Sequence, residues 1–109
     1  MLDMLAGDRG MRMRLAEQEL DLPEDILVAL AQDEHWQVRR RVARRTQDIP
    51  PQVARILAGE VEYSYIPWYL TIRDQKLPLD TLQLLAQNSD TECAKRAQHK
   101  IDTKKYSGG

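Results

Sequence analysis

A four-residue phrase recurs four times, and no other feature constrains the fold of this chain as tightly. Its copies are Leu5-Ala6-Gly7-Asp8, Leu30-Ala31-Gln32-Asp33, Leu57-Ala58-Gly59-Glu60 and Leu85-Ala86-Gln87-Asn88, starting at spacings of 25, 27 and 28. A second phrase keeps step with the first, because Met11-Arg12-Met13-Arg14-Leu15-Ala16 returns as Val38-Arg39-Arg40-Arg41-Val42-Ala43 at a spacing of 27. A third closes each unit with an apolar residue and a proline, Leu22-Pro23, Ile49-Pro50 and Leu77-Pro78, at spacings of 27 and 28. Three phrases in one order at one spacing define a repeat. Units of this length cannot bury an apolar face alone and must stack on their neighbours.

Each unit reads as two short helices. Ile26, Leu27, Leu30 and Ala31 fall on one face of a 3.6-residue period, and Pro23 can open the helix because a first-turn N–H has no partner to lose. Glu24 and Asp25 then sit at the positive end of the helix dipole. Val53, Ala54, Ile56 and Leu57 after Pro50-Pro51, and Leu82, Leu84, Leu85 and Ala86 after Pro78, repeat the pattern. The second helix of each unit is thinner, with Val38 and Val42 one turn apart and Ala43 beside them. Helices of about ten residues are marginal in isolation and need stacking on either side.

The phrase Leu-x-x-Leu-Ala-x-Asp, followed by Val-Arg-x-x-Val-Ala and then proline, spans Leu27 to Pro50. It resembles the variant leucine-rich repeat family and, more distantly, HEAT-type repeats, over roughly Leu5 to His99. The resemblance implies an all-α fold without strands, a short right-handed superhelical solenoid of about four two-helix repeats, and a role in binding other macromolecules. The units run over about 1–22, 23–49, 50–77 and 78–103 of a single domain, with 104–109 as a flexible C-terminal tail. Some family members carry a cysteine-rich iron-sulfur segment, for which this chain has no matching residues.

Composition narrows the function. A chain of 109 residues, 42% hydrophobic and 30% charged, fits one ordinary globular domain with a modest core. Sixteen lysines and arginines against 17 acids give a net charge of -1, so nucleic-acid binding would need a local patch. The single Cys93 cannot form an internal disulfide, a zinc site or a cluster, and it fits a reducing compartment, taken as the cytoplasm. Met1 to Gly10 lacks the basic start and apolar run of a signal peptide, and no stretch reaches a membrane span. The terminal Gly108-Gly109 reads as a flexible end.

Chemistry-bearing constellations are missing. His35 and His99 are 64 positions apart, no paired cysteines or His-x-x-x-His motif occur, and Ser64, Ser89 and Ser107 lack a nucleophile-elbow context. No metal, cofactor, catalytic residue or small-molecule substrate is therefore expected. Cys93 falls in the Val38 column as a small buried hydrophobe.

Two regions depart from the repeat. Arg39, Arg40, Arg41, Arg44 and Arg45 form the densest charge cluster, with Arg12, Arg14, Lys95 and Arg96 in the same column of other units. Arg12 and Arg39 are expected to pair with acids at the preceding turns, Asp8 and Asp33. For Arg40, Arg41 and Arg44 three readings stand open: a solvated face, contact with an acidic protein, or contact with phosphate. Four of the six aromatic residues, Tyr63, Tyr65, Trp68 and Tyr69, crowd into the third unit. Column by column, Tyr65 and Tyr69 replace Val38 and Val42 as larger core side chains, while Trp68 replaces Arg41 and faces outward. Pro67 is expected to start the short helix, and Trp36 to cap the second unit in the turn before Val38. An outward Trp beside Tyr is a typical interface anchor, although Trp68 can equally fold over Pro67 onto a neighbour.

The expected function is accordingly a non-enzymatic protein–protein interaction scaffold, an adaptor, inhibitor or immunity-type partner, using Arg40, Arg41, Arg44, Tyr63 and Trp68. The alternative is nucleic-acid binding through an arginine-rich stripe on the second helices.

Overall fold

The computed structural model describes residues 8–18 and 21–107. Leu5, Ala6 and Gly7 of the first phrase, and Gly108-Gly109, lie outside the described residues. Seven helices occur among those described: α1 (Arg9–Glu17), α2 (Glu24–Ala31), α3 (Trp36–Ala43), α4 (Pro51–Ala58), α5 (Tyr65–Thr71), α6 (Leu79–Ala86) and α7 (Thr91–Asp102). None is long and apolar enough to cross a membrane.

Helix starts follow local chemistry. Pro23, Pro50 and Pro78 each occupy the N-cap, with φ between -59° and -56° and ψ between 147° and 150°. They therefore sit one residue ahead of the first helical position, and Pro51 takes that position in α4. The residues before them differ in exposure: Ile49 and Leu77 are buried, whereas Leu22 is half-buried. Asp8 and Asp90 cap α1 and α7, their carboxylates accepting from Met11 N–H at 2.9 Å and Cys93 N–H at 3.0 Å.

The helices form two layers. α2, α4 and α6 touch in series, as do α1, α3, α5 and α7, and each connection crosses between layers. The molecule is elongated along this direction, at 42 × 26 × 17 Å. Ile26, Leu30, Val53, Leu57, Leu82 and Leu85 of one layer meet Val38, Val42, Ile66, Leu70, Cys93 and Ala97 of the other, all buried. Burying each larger aliphatic side chain is worth roughly 1.5–3 kcal/mol, which offsets the poor intrinsic stability of helices this short. Leu84, read from the sequence as part of the buried face of α6, is exposed instead. Its neighbours Leu82 and Leu85 already fill the inward arc.

The third unit corrects the expected register. Tyr65 is 55% exposed and Tyr69 half-buried, whereas Ile66 and Leu70 are completely buried in the places that correspond to Val38 and Val42. The cause is one additional residue in the connection: Leu57 to Ile66 is nine positions, but Leu30 to Val38 and Leu85 to Cys93 are eight. One residue rotates the helix by about 100°, so Trp68 corresponds to Arg40 rather than Arg41. Pro67 does not start α5. It is the third residue, buried in the first turn, where a missing N–H still costs no helix bond.

A second departure is a pair of two-residue strands, β1 (Leu77–Pro78) and β2 (Tyr106–Ser107), aligned parallel with Leu77 opposite Tyr106. Reading 104–109 as a tail of a strand-free fold did not anticipate this pairing. Pro78 has no N–H to donate, which keeps the ladder short.

Candidate functional site

The turn before each second helix is built on a side-chain oxygen. Glu60 accepts from the N–H groups of Glu62 at 2.9 Å and Tyr63 at 3.0 Å, which sets the chain direction entering α5. Arg39 of α3 grips the same carboxylate through Nε at 2.9 Å and Nη2 at 3.1 Å, reaches Glu62 at 2.6 Å, and donates Nη1 to the Asp33 carbonyl at 2.6 Å. Both partners are largely buried, with 12% of the Arg39 side chain and 9% of Glu60 exposed. Burial opposes the Arg39 charge, but hydrogen bonds to Glu60 and Glu62 and their negative charges more than compensate, so its pKa is raised.

Arg12 is bound in the same way to Asp33, Nε to Oδ2 at 2.6 Å. Both ion pairs run forward at one constant offset, to the turn of the following unit. This corrects the expected pairing of Arg12 with Asp8 and of Arg39 with the Asp33 carboxylate. Asp8 caps α1 instead, and Asp33 offers Arg39 only its carbonyl. A long side chain leaving α1 or α3 leans toward the next layer of turns.

Fixing Tyr63 has a consequence for the surface. Its ring stacks on Trp36, the first residue of α3, with centroids 4.2 Å apart and planes 23° from parallel. Tyr63 meets Tyr65 at 5.6 Å, Tyr65 meets Trp68 edge-on at 6.0 Å, and Trp68 meets Tyr69 at 5.4 Å. Five rings thus form one unbroken strip across α3 and α5. Arg40 lies over Trp36 and Arg44 over Tyr69, each 5.7 Å from the ring centroid. Arg40 Nε is buried with no hydrogen-bond partner among the described residues.

Of the residues singled out from the sequence, Arg40, Arg44, Tyr63 and Trp68 come together in this strip. Arg41 does not join them: its guanidinium is ion-paired with Glu17 of α1. Trp36 lies on the helix rather than in the turn before it, and it belongs to the strip.

Sequence reasoning missed a second column. Arg45 is buried and donates Nη1 to the carbonyls of Ala16 at 2.7 Å and Gln18 at 3.0 Å. Arg73, the next cation in this column, donates to the carbonyls of Ala43 at 3.2 Å, Arg45 at 2.5 Å and Gln47 at 2.6 Å. Lys100, one unit further on, donates to the Arg73 carbonyl at 2.8 Å. Each cation reaches back to the chain leaving the preceding second helix and satisfies carbonyls that the helix end leaves unpaired. Burial lowers the pKa of both arginines. Asp21 opposes this for Arg45; for Arg73 Asp48 opposes it and Arg45 adds to it. The regular spacing of Arg45, Arg73 and Lys100 was the available signal.

Gln75 completes this edge by bonding both sides of Ile49, its Oε1 accepting from Ile49 N–H at 2.8 Å and its Nε2 donating to Ile49 O at 2.7 Å. Cys93 is buried, and burial, with the nearby Asp90 charge, pushes its thiol pKa up to about 11. No group of three His, Cys, Asp or Glu side chains with metal-binding geometry occurs among the described residues. No protein-family model matches the chain, and no curated protein or solved structure matches it.

Proposed function

We propose that the chain is a non-enzymatic protein-interaction module. The observation that carries this reading is the strip of five aromatic rings held between Arg40 and Arg44. Trp, Tyr and Arg are the residues that most often dominate binding energy at protein interfaces, Trp and Tyr because they bury large rigid areas at small entropic cost, Arg because its planar guanidinium forks onto carboxylates and stacks on rings. Here the rings brace one another and the Glu60 turn braces Tyr63, so little ordering is left for a partner to impose. The partner surface that fits is an apolar or proline-containing segment flanked by carboxylates that meet the two arginines.

The architecture in this proposal is a short right-handed superhelical solenoid of about four two-helix units, of the variant leucine-rich repeat kind. Its support is the column order: forward ion pairs at one constant offset, Arg12–Asp33 and Arg39–Glu60, and backward cations at Arg45, Arg73 and Lys100. The arginine-stripe alternative has less support. Arg39 and Arg41 are already neutralised by acids, which removes two of the cluster's charges from phosphate contact.

The test is affinity capture from the native cell, with proteins and nucleic acids both identified. The wild-type chain is compared with Trp68→Ala/Tyr65→Ala, which leaves the buried Ile66 and Leu70 in place. A specific protein captured by the wild type and lost by the double variant supports the reading. An unchanged set of captured proteins, with helicity retained, refutes the location. Nucleic acid captured through the strip refutes the assigned class.

A further inference from the structure

Charge is unevenly distributed over this molecule. A groove of about 850 Å³ lies between the 73–76 turn and the last helix with the turn that follows it. Seven of the chain's sixteen lysines and arginines line it, against two of its seventeen acids, Asp74 and Glu92. A chain of net charge -1 therefore concentrates a local excess of five positive charges, seven less two, in one concavity. Low-dielectric walls focus such a field outward.

The cations differ in how they are used. Arg73 and Lys100 are turned toward backbone carbonyls, and Arg96 pairs with Glu92 at 3.0 Å. Lys76, Lys95, Lys104 and Lys105 are exposed, with no carboxylate within 4.0 Å of their ammonium groups among the described residues. Burial lowers the pKa of Lys100; Asp74 opposes this, while the positive charges of Lys105 and Arg96 lower it further.

The end of α7 gives an independent observation. Lys105 N–H donates to Lys100 O at 2.8 Å and Lys104 N–H to Ile101 O at 3.1 Å, the two bonds of a Schellman turn. The residue in its left-handed position is Lys104, at φ 57°, where glycine fits without steric cost and lysine does not. β2 then ties Tyr106 and Ser107 to β1, which holds both lysines at the groove. A lysine placed where glycine is easier, in a groove lined by six other lysines and arginines, sets local preference aside, and sites where that happens are often functional.

We infer that this groove binds a ligand carrying consecutive phosphate groups, supplied either by a free oligophosphate or by the backbone of a nucleic acid. The free cations are lysines, point charges suited to dispersed phosphate oxygens rather than to the forked recognition of a single carboxylate by arginine. No Phe, Tyr or Trp lines the groove and its one ring is the His99 imidazole, so base stacking adds little there. Its volume lies within the range of small-ligand sites. The inference is independent of the aromatic strip.

Titration of the purified chain with tripolyphosphate, and separately with a fluorescent RNA duplex of about 20 base pairs, tests it. At least one probe is expected to bind saturably. Lys95→Gln/Lys105→Gln is expected to weaken binding tenfold or more, and to lower the salt slope for the duplex by about two. Lys104→Gly is expected to weaken binding while raising the thermal midpoint. Arg40→Gln/Arg44→Gln, on the strip, leaves binding unchanged. Tripolyphosphate binding alone assigns the oligophosphate, duplex binding alone assigns the nucleic-acid backbone, and binding of both supports the shared chemistry. The inference is overturned if neither probe binds at about 0.1 M salt, if polyglutamate binds equally well, or if Lys95→Gln/Lys105→Gln retains wild-type affinity.

Discussion

Replacing Arg73 with methionine removes a guanidinium and keeps an unbranched stem of similar reach. Three carbonyls then lose their donor: Ala43, at the end of α3, and Arg45 and Gln47 beyond it. A hydrogen bond from a charged group contributes roughly 1.5–3 kcal/mol net, and a neutral one about 1. These sites are part-buried, so water can replace some of what is lost, and about 1 kcal/mol for each carbonyl is a fair value. Part of the total is recovered because the buried guanidinium carries a desolvation cost that methionine does not. The expected loss is about 2–3 kcal/mol. Lys100→Met removes a donor from one carbonyl, that of Arg73, and should cost about 1 kcal/mol. In urea, where a chain of this size has a slope near 1–1.5 kcal/mol per molar, the midpoint should fall by about 2 M for Arg73→Met and by less than about 1 M for Lys100→Met. Circular dichroism at about 222 nm follows both. Equal shifts for the two variants, or an Arg73→Met midpoint within about 0.3 M of wild type, would refute the view that these cations act as struts in proportion to the carbonyls they bond.

Two further outcomes follow from particular side chains. Leu70→Ala should cost about 2–4 kcal/mol and Tyr65→Ala less than about 1, although tyrosine is the larger residue, because only Leu70 is buried; the opposite order in urea unfolding would return α5 to the register expected from the sequence. The Cys93 thiol, at about 11 when folded against 9.0 as an isolated group, contributes no pH dependence below pH 8, where both states keep the proton. As pH rises from 9 to 11 the unfolded chain releases its proton first, so stability should fall by about 2 kcal/mol more in wild type than in Cys93→Ala. A constant difference between the two proteins at pH 8 and pH 10.5 would show that the thiol is not buried.

The first helices and the valine column were legible because Leu, Val and Ala at helical spacing have one energetically sensible orientation. Tyr65 and Ile66 were harder. Either can face a core, and the amphipathic ring of Tyr65 hid the slip of one residue that Ile66 and Leu70 reveal. The signal was nevertheless in the chain, since Ile49 to Leu77, Leu57 to Leu85 and Arg45 to Arg73 all share a spacing of 28. The direction of the Arg12 and Arg39 pairs was not legible. Spacing places an arginine in a column, but which neighbouring turn a long flexible side chain reaches depends on how the layers are offset in space. The phosphate groove was hidden for a related reason, because Lys76 and Lys104 become neighbours only after β2 returns to β1.

The turns before the second helices show why the third step of the series differs from the first two. Asp33, Glu60 and Asn88 stand at spacings of 27 and 28, and each side-chain oxygen accepts from the N–H two residues on, at 3.0, 2.9 and 2.8 Å. Shaping the turn therefore needs only an oxygen, which an amide supplies as well as a carboxylate. The charge on Asp33 and Glu60 has a separate use, gripping Arg12 and Arg39. At the third step the position that would supply the arginine, at the same offset before Asn88, is Pro67. A carboxylate kept there, part-buried and without its cation, would be costly, and the neutral amide avoids that cost while preserving the turn. The acid and the base of the forward pair are thus absent together at this step among the described residues. With no arginine crossing this layer to the next turn among the described residues, the outer face of α5 carries Trp68 and Tyr69 into the aromatic strip, while Lys76, Lys95, Lys104 and Lys105 face the groove without a carboxylate partner among the described residues.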